Sequence, residues 1–170
     1  MKLTELLASE IDREGPLTRR ALEVVPEGRD DWKPHEKSMP LGRLAALVAM
    51  MPSWVSMMID TTELDLAPAP GTKSQFAREL KTRKELVAEA EKGFAAARKA
   101  LEGTTDEHLM QPWQLKMKGT VVQERPRYIM LRDALMHLSH HRGQLTVYLR
   151  MNGEKVPSIY GPSADDQRFE

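Results

Sequence analysis

The sequence contains no cysteine, which excludes disulfides, cysteine nucleophiles and cysteine-ligated metal sites. It also lacks an excess of either charge, because 25 lysines and arginines balance 25 aspartates and glutamates. A neutral chain with interspersed charges offers no basic stripe to a polyanion, so nucleic acid is not an expected partner. Histidine and carboxylate side chains remain as the possible protein ligands for a metal.

Long apolar runs are absent as well. No segment approaches the roughly 20 apolar residues that a membrane-spanning helix needs. The N-terminal segment carries charges within its first five residues and has no apolar stretch of signal-peptide length. We therefore expect a cytoplasmic protein with no membrane partner. A length of 170 residues with 41% apolar content suits one domain, which we assign to residues 1–170.

Apolar residues recur at helical spacing in four long segments, which predicts an all-α protein. The first segment covers residues 3–25, with a kink or short break expected at Gly15 and Pro16. The second covers residues 40–60, and Pro52 should bend it.

The third segment begins or restarts at a capping box formed by Thr82 and Glu85, and a glycine at position 103 should end it. The fourth is the longest and covers residues 126–151, opened by a proline and stopped by Asn152 and Gly153.

The connections between these segments differ in kind. Residues 61–72 are punctuated by prolines and are long enough to cross the end of a bundle. Residues 112–125 alternate in polarity around a turn at Lys118 and Gly119, which predicts a small β-hairpin before the fourth helix. The C-terminal tail is expected to be irregular.

The fourth helix has a heptad seam that includes polar residues. One seam position holds Met130, His137, Gln144 and Met151, and the other holds Ala134, His141 and Tyr148. A leucine stripe beside the seam indicates a buried face, so we expect His137 and His141 to point inward. An imidazole buried without a partner costs about 1–3 kcal/mol, so each histidine needs a hydrogen bond or a metal.

Two interpretations of this His-x-x-x-His spacing remain open. Residues four apart lie one helical turn apart, so both rings can converge on one zinc, nickel or iron ion. The same spacing also suits a hydrogen-bonded pair. Leu138 stands where zinc proteases have glutamate, which excludes their mechanism. Asp133 can orient His137 or supply a further ligand, or it can simply lie on the helix surface.

The other histidines are assigned structural roles. His140 points about 60° around the helix from His137, which predicts a position on the rim. His108 belongs to the loop before the hairpin, and His35 lies in the first loop.

Three segments resemble one known family. The run HLSHHRGQLTVYLR, residues 137–150, resembles the hallmark of the DinB family of small bacterial metal-binding bundles. The stretches DWKPHEKSMPLGRLA, residues 31–45, and VPSIYGPSADD, residues 156–166, resemble the same family in the same order. The resemblance implies a four-helix bundle with up-down-down-up topology and a long crossover between helices 2 and 3. Many relatives are homodimers, so a homodimer is expected.

The resemblance also implies a metal site. The family's usual triad has one histidine from the second helix and the two of the His-x-x-x-His motif, which match His137 and His141. At the place of the remaining histidine this chain has Leu47. Met50 and Met51, one turn further on, are soft and weak ligands. A zinc, nickel or iron cofactor is therefore expected to be weakened or absent.

Two functions follow from this pattern and stay open. Characterised relatives include metal-dependent transferases and isomerases that use low-molecular-weight thiols such as bacillithiol or mycothiol, and a chain without cysteine is compatible with an external thiol. The alternative is a non-catalytic, metal-free bundle that binds a small molecule or acts as a dimeric interaction module, for which Leu47 is the main support.

Overall fold

The computed structural model describes residues 1–67 and 79–169. Within these ranges the chain is mostly helical, with six helices and a small sheet of three strands. The helices are α1 (Leu3–Glu23), α2 (Leu41–Met50), α3 (Ser53–Asp60), α4 (Arg83–Glu102), α5 (Asp106–Met110) and α6 (Arg127–Met151). The strands are β1 (Glu63–Asp65), β2 (Pro112–Met117) and β3 (Thr120–Pro126).

Helix α1 is continuous through Pro16, so the break considered at this position is not formed. The side chain of Pro16 is exposed, whereas Leu17 and Thr18, which follow it, are buried. Proline has no N–H, so the carbonyl oxygen one turn earlier loses its helical hydrogen bond. Because Pro16 lies on the solvent side, water can bond to this oxygen instead, which limits the loss of helix stability.

The second predicted helix is divided at Pro52, as expected, into α2 and α3, whose axes differ by 48°. Both contribute buried side chains to the core that they share with α1, α4 and α6. Among the described residues no single helix has the length and hydropathy to cross a membrane, and α2 and α3 pass that test by length and composition only as a bent pair.

Helix α4 begins as predicted. The Thr82 hydroxyl accepts a hydrogen bond from the Glu85 amide at 3.2 Å, and the Glu85 carboxylate accepts one from the Thr82 amide at 3.0 Å. Hydrogen bonds from the amides of Lys81 and Thr82 hold the pKa of the Glu85 carboxyl below its usual value. Gly103 follows the last helical residue. The capping box therefore fixes where α4 starts.

The predicted hairpin is present as the antiparallel strands β2 and β3. Lys118 and Gly119 between them have φ angles of 52° and 78°, the left-handed values that a tight two-residue turn needs. Strand β1, which pairs with β2 in parallel, was not predicted because it has only three residues. The Asp65 carboxylate at its end accepts hydrogen bonds from both turn amides, at 3.0 and 2.6 Å. The all-α assignment is therefore corrected to mostly helical.

Helix α5 was also missed, and it places His108 in a helix instead of a loop. Its first residue, Asp106, accepts hydrogen bonds from the amides of Leu3 and Thr4, both at 3.0 Å. These bonds hold the pKa of the Asp106 carboxyl below its ordinary value. Since α1 has no side-chain cap from its own N-cap residue, the carboxylate from α5 supplies it.

The start of α6 is held by Arg127, which is buried although it is a cation. Its guanidinium donates to the carbonyl oxygens of Met58 at 2.6 Å, Thr61 at 2.7 Å and His108 at 3.1 Å. Met58 lies in α3 and Thr61 is its C-cap, where unpaired carbonyls concentrate negative potential. Burial still lowers the pKa of Arg127.

The face of α6 that packs on the core differs from the predicted one. Its buried residues include Leu131, Ala134, Leu138, Arg142, Leu145 and Leu149. The leucine stripe therefore faces inward, whereas His137 is exposed and His141 is half-buried. The expectation that both histidines point into the core is wrong, because the seam that contains them lies at the edge of the buried face.

Arg142 is only 1% exposed and forms an ion pair of 2.6 Å with Glu14 of α1, itself 4% exposed. Arg142 also donates to the Thr18 hydroxyl at 2.9 Å. The Tyr160 hydroxyl lies 2.6 Å from the guanidinium and 2.9 and 3.0 Å from the two carboxylate oxygens. This network joins α1, α6 and the irregular C-terminal tail.

Because of this network, substitution of two arginines in α6 should lower the unfolding free energy by unequal amounts. Arg142→Met should lower the unfolding free energy by about 3–5 kcal/mol, because it leaves the Glu14 carboxylate buried without its partner. The matched control is Arg150→Met, which removes a solvent-accessible ion pair with Asp165 and should cost at most about 1 kcal/mol. Urea denaturation measures both, and equal losses would contradict the expectation.

Two glycines predict opposite effects of the same substitution. A Cβ at Gly93 of α4 would lie 2.9 Å from the Ser53 nitrogen and 3.0 Å from the Pro52 Cβ, so Gly93→Ala should destabilise the protein by about 1–3 kcal/mol. A Cβ at Gly143 of α6 meets nothing within 4 Å. Gly143→Ala should therefore stabilise by about 0.5–1 kcal/mol through helix propensity, measured by urea denaturation. If both substitutions stabilised the protein, α3 and α4 would pack less closely at Gly93 than these distances indicate.

Candidate functional site

His137 and His141 lie one turn apart on α6 with their Nε2 atoms facing each other. The two nitrogens are 2.8 Å apart, and the ring centroids are 4.6 Å apart. This distance is a hydrogen bond, in which one nitrogen donates and the other accepts. The spacing therefore brings the two rings together as the sequence predicts.

Gln144 sets the orientation of His141. Its Oε1 lies 2.7 Å from His141 Nδ1, and a carboxamide oxygen can only accept, so Nδ1 carries the proton. A neutral His141 then has a lone pair on Nε2, and His137 donates its own Nε2–H to it. The chain of hydrogen bonds runs from His137 through His141 to Gln144 and assigns a tautomer to both rings.

His137 is disposed to be neutral. Partial burial lowers the pKa of its imidazole, and the nearby His141 and His140 lower it further. The tilted Trp54 ring of α3 covers one side of it, with centroids 5.8 Å apart. A neutral ring is the form that can donate one hydrogen bond and accept another.

His137 of the pair borders a cavity of about 380 Å³. Its lining is largely apolar and comes from α2, α3, the sheet and α6. The polar residues among those that line it are Gln123, Asp133 and His137. Leu47 lines the same cavity as His137. It stands where the resemblance to the family places the remaining histidine of the triad.

The other candidate ligands do not join the pair. Asp133 lines the cavity, but no hydrogen bond links it to His137 within the described chain. Met50 and Met51 are buried. Across residues 1–67 and 79–169, no group of three or more His, Cys, Asp or Glu side chains is arranged to hold a metal ion. Of the candidate ligands in these ranges, His137 and His141 are the two that the fold brings together.

The three remaining histidines lie elsewhere. His140 is exposed, and its ring centroid lies 5.1 Å from that of His141. His108 Nε2 lies 2.9 Å from the carbonyl oxygen of Ile59, and His35 Nδ1 accepts a hydrogen bond from the Lys37 amide at 3.1 Å. Each therefore has a local contact that does not involve the Nε2 atoms of the pair.

Sequence reasoning named Gln144 as a seam residue but missed its contact with His141. The signal was present, because a residue three positions after a histidine shares its helix face. It also missed Trp54, whose contact with His137 joins two helices and leaves no trace in the sequence spacing.

The lowered pKa of His137 predicts the pH dependence of the metal-free protein. Its ring should titrate below the value of about 6.5 that it has in the urea-unfolded chain. Because the unfolded state then binds the proton first, the unfolding free energy should fall as the pH drops from about 6.5 towards the folded-state pKa. NMR titration of the imidazole signals measures the pKa, and His137→Gln should remove this part of the pH dependence. A folded-state value at or above the unfolded one would contradict it.

Solved structures with the same fold come from two bacilli. A DinB-like protein from Bacillus cereus ATCC 10987 superimposes with a TM-score of 0.70 at 21% identity, over 92% of this chain and 97% of that one. A DinB-like protein from Bacillus subtilis, YjoA, gives a TM-score of 0.66 at 20% identity, over 96% and 99%. At these identities the likeness concerns the fold.

Sequence comparison adds a relative and a family. The uncharacterized protein YrdA of Bacillus subtilis strain 168 is 43% identical over 44 residues, and the match spans 26% of each chain. The match thus spans about a quarter of that relative's length. The model of the DinB family matches residues 1–168, nearly the whole sequence. The chain belongs to the DinB family.

Proposed function

We propose that this protein is a metal-dependent enzyme of the thiol transferase or isomerase type, with His137 and His141 as its metal ligands. The observation that carries the proposal is the convergence of their Nε2 atoms beside the apolar cavity. The proposal includes one domain with an up-down-down-up four-helix bundle, a homodimer and a cytoplasmic location, all of which rest on family membership.

The pair fits two positions of a metal shell. At bond lengths of about 2.0–2.1 Å, a tetrahedral zinc ion holds two imidazole nitrogens about 3.3 Å apart, so they need to separate by only about 0.5 Å. Gln144 already holds the proton of His141 on Nδ1, so the lone pair on Nε2, which now accepts the hydrogen bond from His137, is the one that can bind a metal. His137 has to move its proton from Nε2 to Nδ1.

The remaining positions of that shell have to come from outside the pair. The Leu47 side chain has no donor atom, so water or an external ligand would complete the coordination, and affinity should be lower than at a three-histidine site. A bound divalent ion would supply one kind of chemistry here, the lowering of a thiol's pKa. The thiol has to be external because the chain has no cysteine.

The protein's own residues prepare the site for such chemistry. Gln144 orients His141, and Trp54 packs against His137. The largely apolar lining of the cavity lowers the polarity of the surroundings on the side of His137 that faces it, which strengthens electrostatic interactions there.

A second candidate function is a metal-free bundle that binds a small molecule or serves as an interaction module. Two observations favour it. Leu47 borders the same cavity as His137, and the two Nε2 atoms already satisfy each other through a hydrogen bond. A pair that is satisfied in this way has no need of a metal for stability.

Zinc titration separates the two functions. By isothermal calorimetry, we expect the protein to bind one zinc ion per chain, His137→Gln to abolish binding, and Leu47→His to raise the affinity by at least about tenfold through a third ligand. His140→Gln is the matched control, because it removes a neighbouring imidazole that lies outside the pair, and it should leave the affinity unchanged.

The opposite pattern would favour the metal-free function. If the unmodified protein binds no zinc while Leu47→His does, the pair has kept its geometry but the native site does not work. Zinc binding that survives His137→Gln would show that the ion lies elsewhere.

A further inference from the structure

We propose that the cavity beside His137 is a binding site for a hydrophobic organic amine, with an aromatic or aliphatic ring in the apolar part and the ammonium group at Asp133. The inference goes beyond the proposed function, because it concerns the metal-free cavity and needs no metal. It rests on the lining of the cavity, on its charge and on the lack of a partner for Asp133 among residues 1–67 and 79–169.

The apolar part of the cavity has the size and chemistry for a ring. Its volume of about 380 Å³ lies within the range of small-molecule sites. Trp54, Trp113 and Met57 are among the residues that line it. Indole faces attract cations and rings, and methionine sulfur adapts to aromatic surfaces.

The Trp113 indole is held in place. Its ring is fully buried, and its Nε1–H donates to the Thr61 hydroxyl at 3.2 Å. A wall that is already ordered loses little entropy when a ligand packs against it. This part of the cavity is therefore largely formed before binding.

The charge of the cavity selects the polar group of the ligand. Asp133 is half-buried and lines the cavity, and it has no hydrogen bond or ion pair with another residue in the described ranges. No lysine or arginine is among the described lining residues. A carboxylate in partly apolar surroundings gains from a cationic partner, so an ammonium group is the complement that the described residues do not supply.

The same arrangement disfavours anions. A ligand carboxylate would enter an apolar cavity that already holds the Asp133 charge, and no cation among the described lining residues would offset either one. Gln123 also lines the cavity, and its amide can donate a hydrogen bond but carries no charge. The site therefore discriminates among ligands of similar shape by charge.

Three probes of similar shape test this selection. In the metal-free protein, kept in EDTA, we expect 2-phenylethylamine to bind about tenfold more tightly than 2-phenylethanol, and 3-phenylpropionate to bind more weakly than the alcohol. NMR shifts of the indole N–H signals report the location. Those of Trp54 and Trp113 should move, while that of Trp32, which packs against Tyr148 instead, should stay in place.

A charge-removing variant identifies the residue responsible. Asp133→Asn keeps the shape and should reduce the preference for the amine over the alcohol to less than about twofold, while the affinity for the alcohol stays the same. Glu36→Gln is the matched control, since it removes one negative charge from an exposed loop residue that does not line the cavity and should keep the full preference.

Several results would overturn the proposal. They are equal affinity for amine and alcohol in the unmodified protein, tightest binding of the carboxylate, an unchanged preference in Asp133→Asn, or movement of the Trp32 signal without those of Trp54 and Trp113. Because EDTA keeps metal away, failure of zinc binding leaves this result intact, and failure of amine binding leaves the zinc result intact.

Discussion

The buried ion pair between Arg142 and Glu14 fixes how the longest helix sits on the rest of the protein. Arg142 has to reach Glu14 in α1, so the face of α6 that carries it must turn inward. A buried charge that loses its partner is strongly unfavourable, which makes this rotation of α6 hard to change. His137 and His141 lie beside that buried face and are therefore held at the edge of the core. The site depends on a contact in which neither histidine takes part.

Much of the fold could be predicted because it depends on local signals. The capping box at Thr82 and Glu85, the bend at Pro52 and the turn at Lys118 each act within a few residues, and each is found at its predicted place. The elements that were missed, β1 and α5, are too short for a periodic pattern. They are held by partners distant in sequence, as Asp65 is by the hairpin turn. Sequence spacing does not record such contacts.

The site was predictable in part for the same reason. The meeting of His137 and His141 follows from helix geometry, whereas their exposure follows from Arg142, which reads as a surface residue in the sequence. Because a buried arginine is rare unless it is paired, and its partner lies 128 residues away, the position of the buried face could not be inferred. The residues that line the cavity come from elements far apart in the sequence, so the cavity could not be predicted either. Zinc on the pair and an amine at Asp133 would place two positive charges side by side, so the two occupants should oppose each other.

The cap on α1 has a consequence for synthesis. The carboxylate that closes the N-terminus of this helix belongs to Asp106, which follows Leu3 by 103 residues. During synthesis the amide of Leu3 therefore lacks this acceptor until Asp106 has also emerged, 103 residues later, and the first turn of α1 is free to fray during that time. The first turn of α1 is therefore completed by a residue that is synthesised much later than the helix itself.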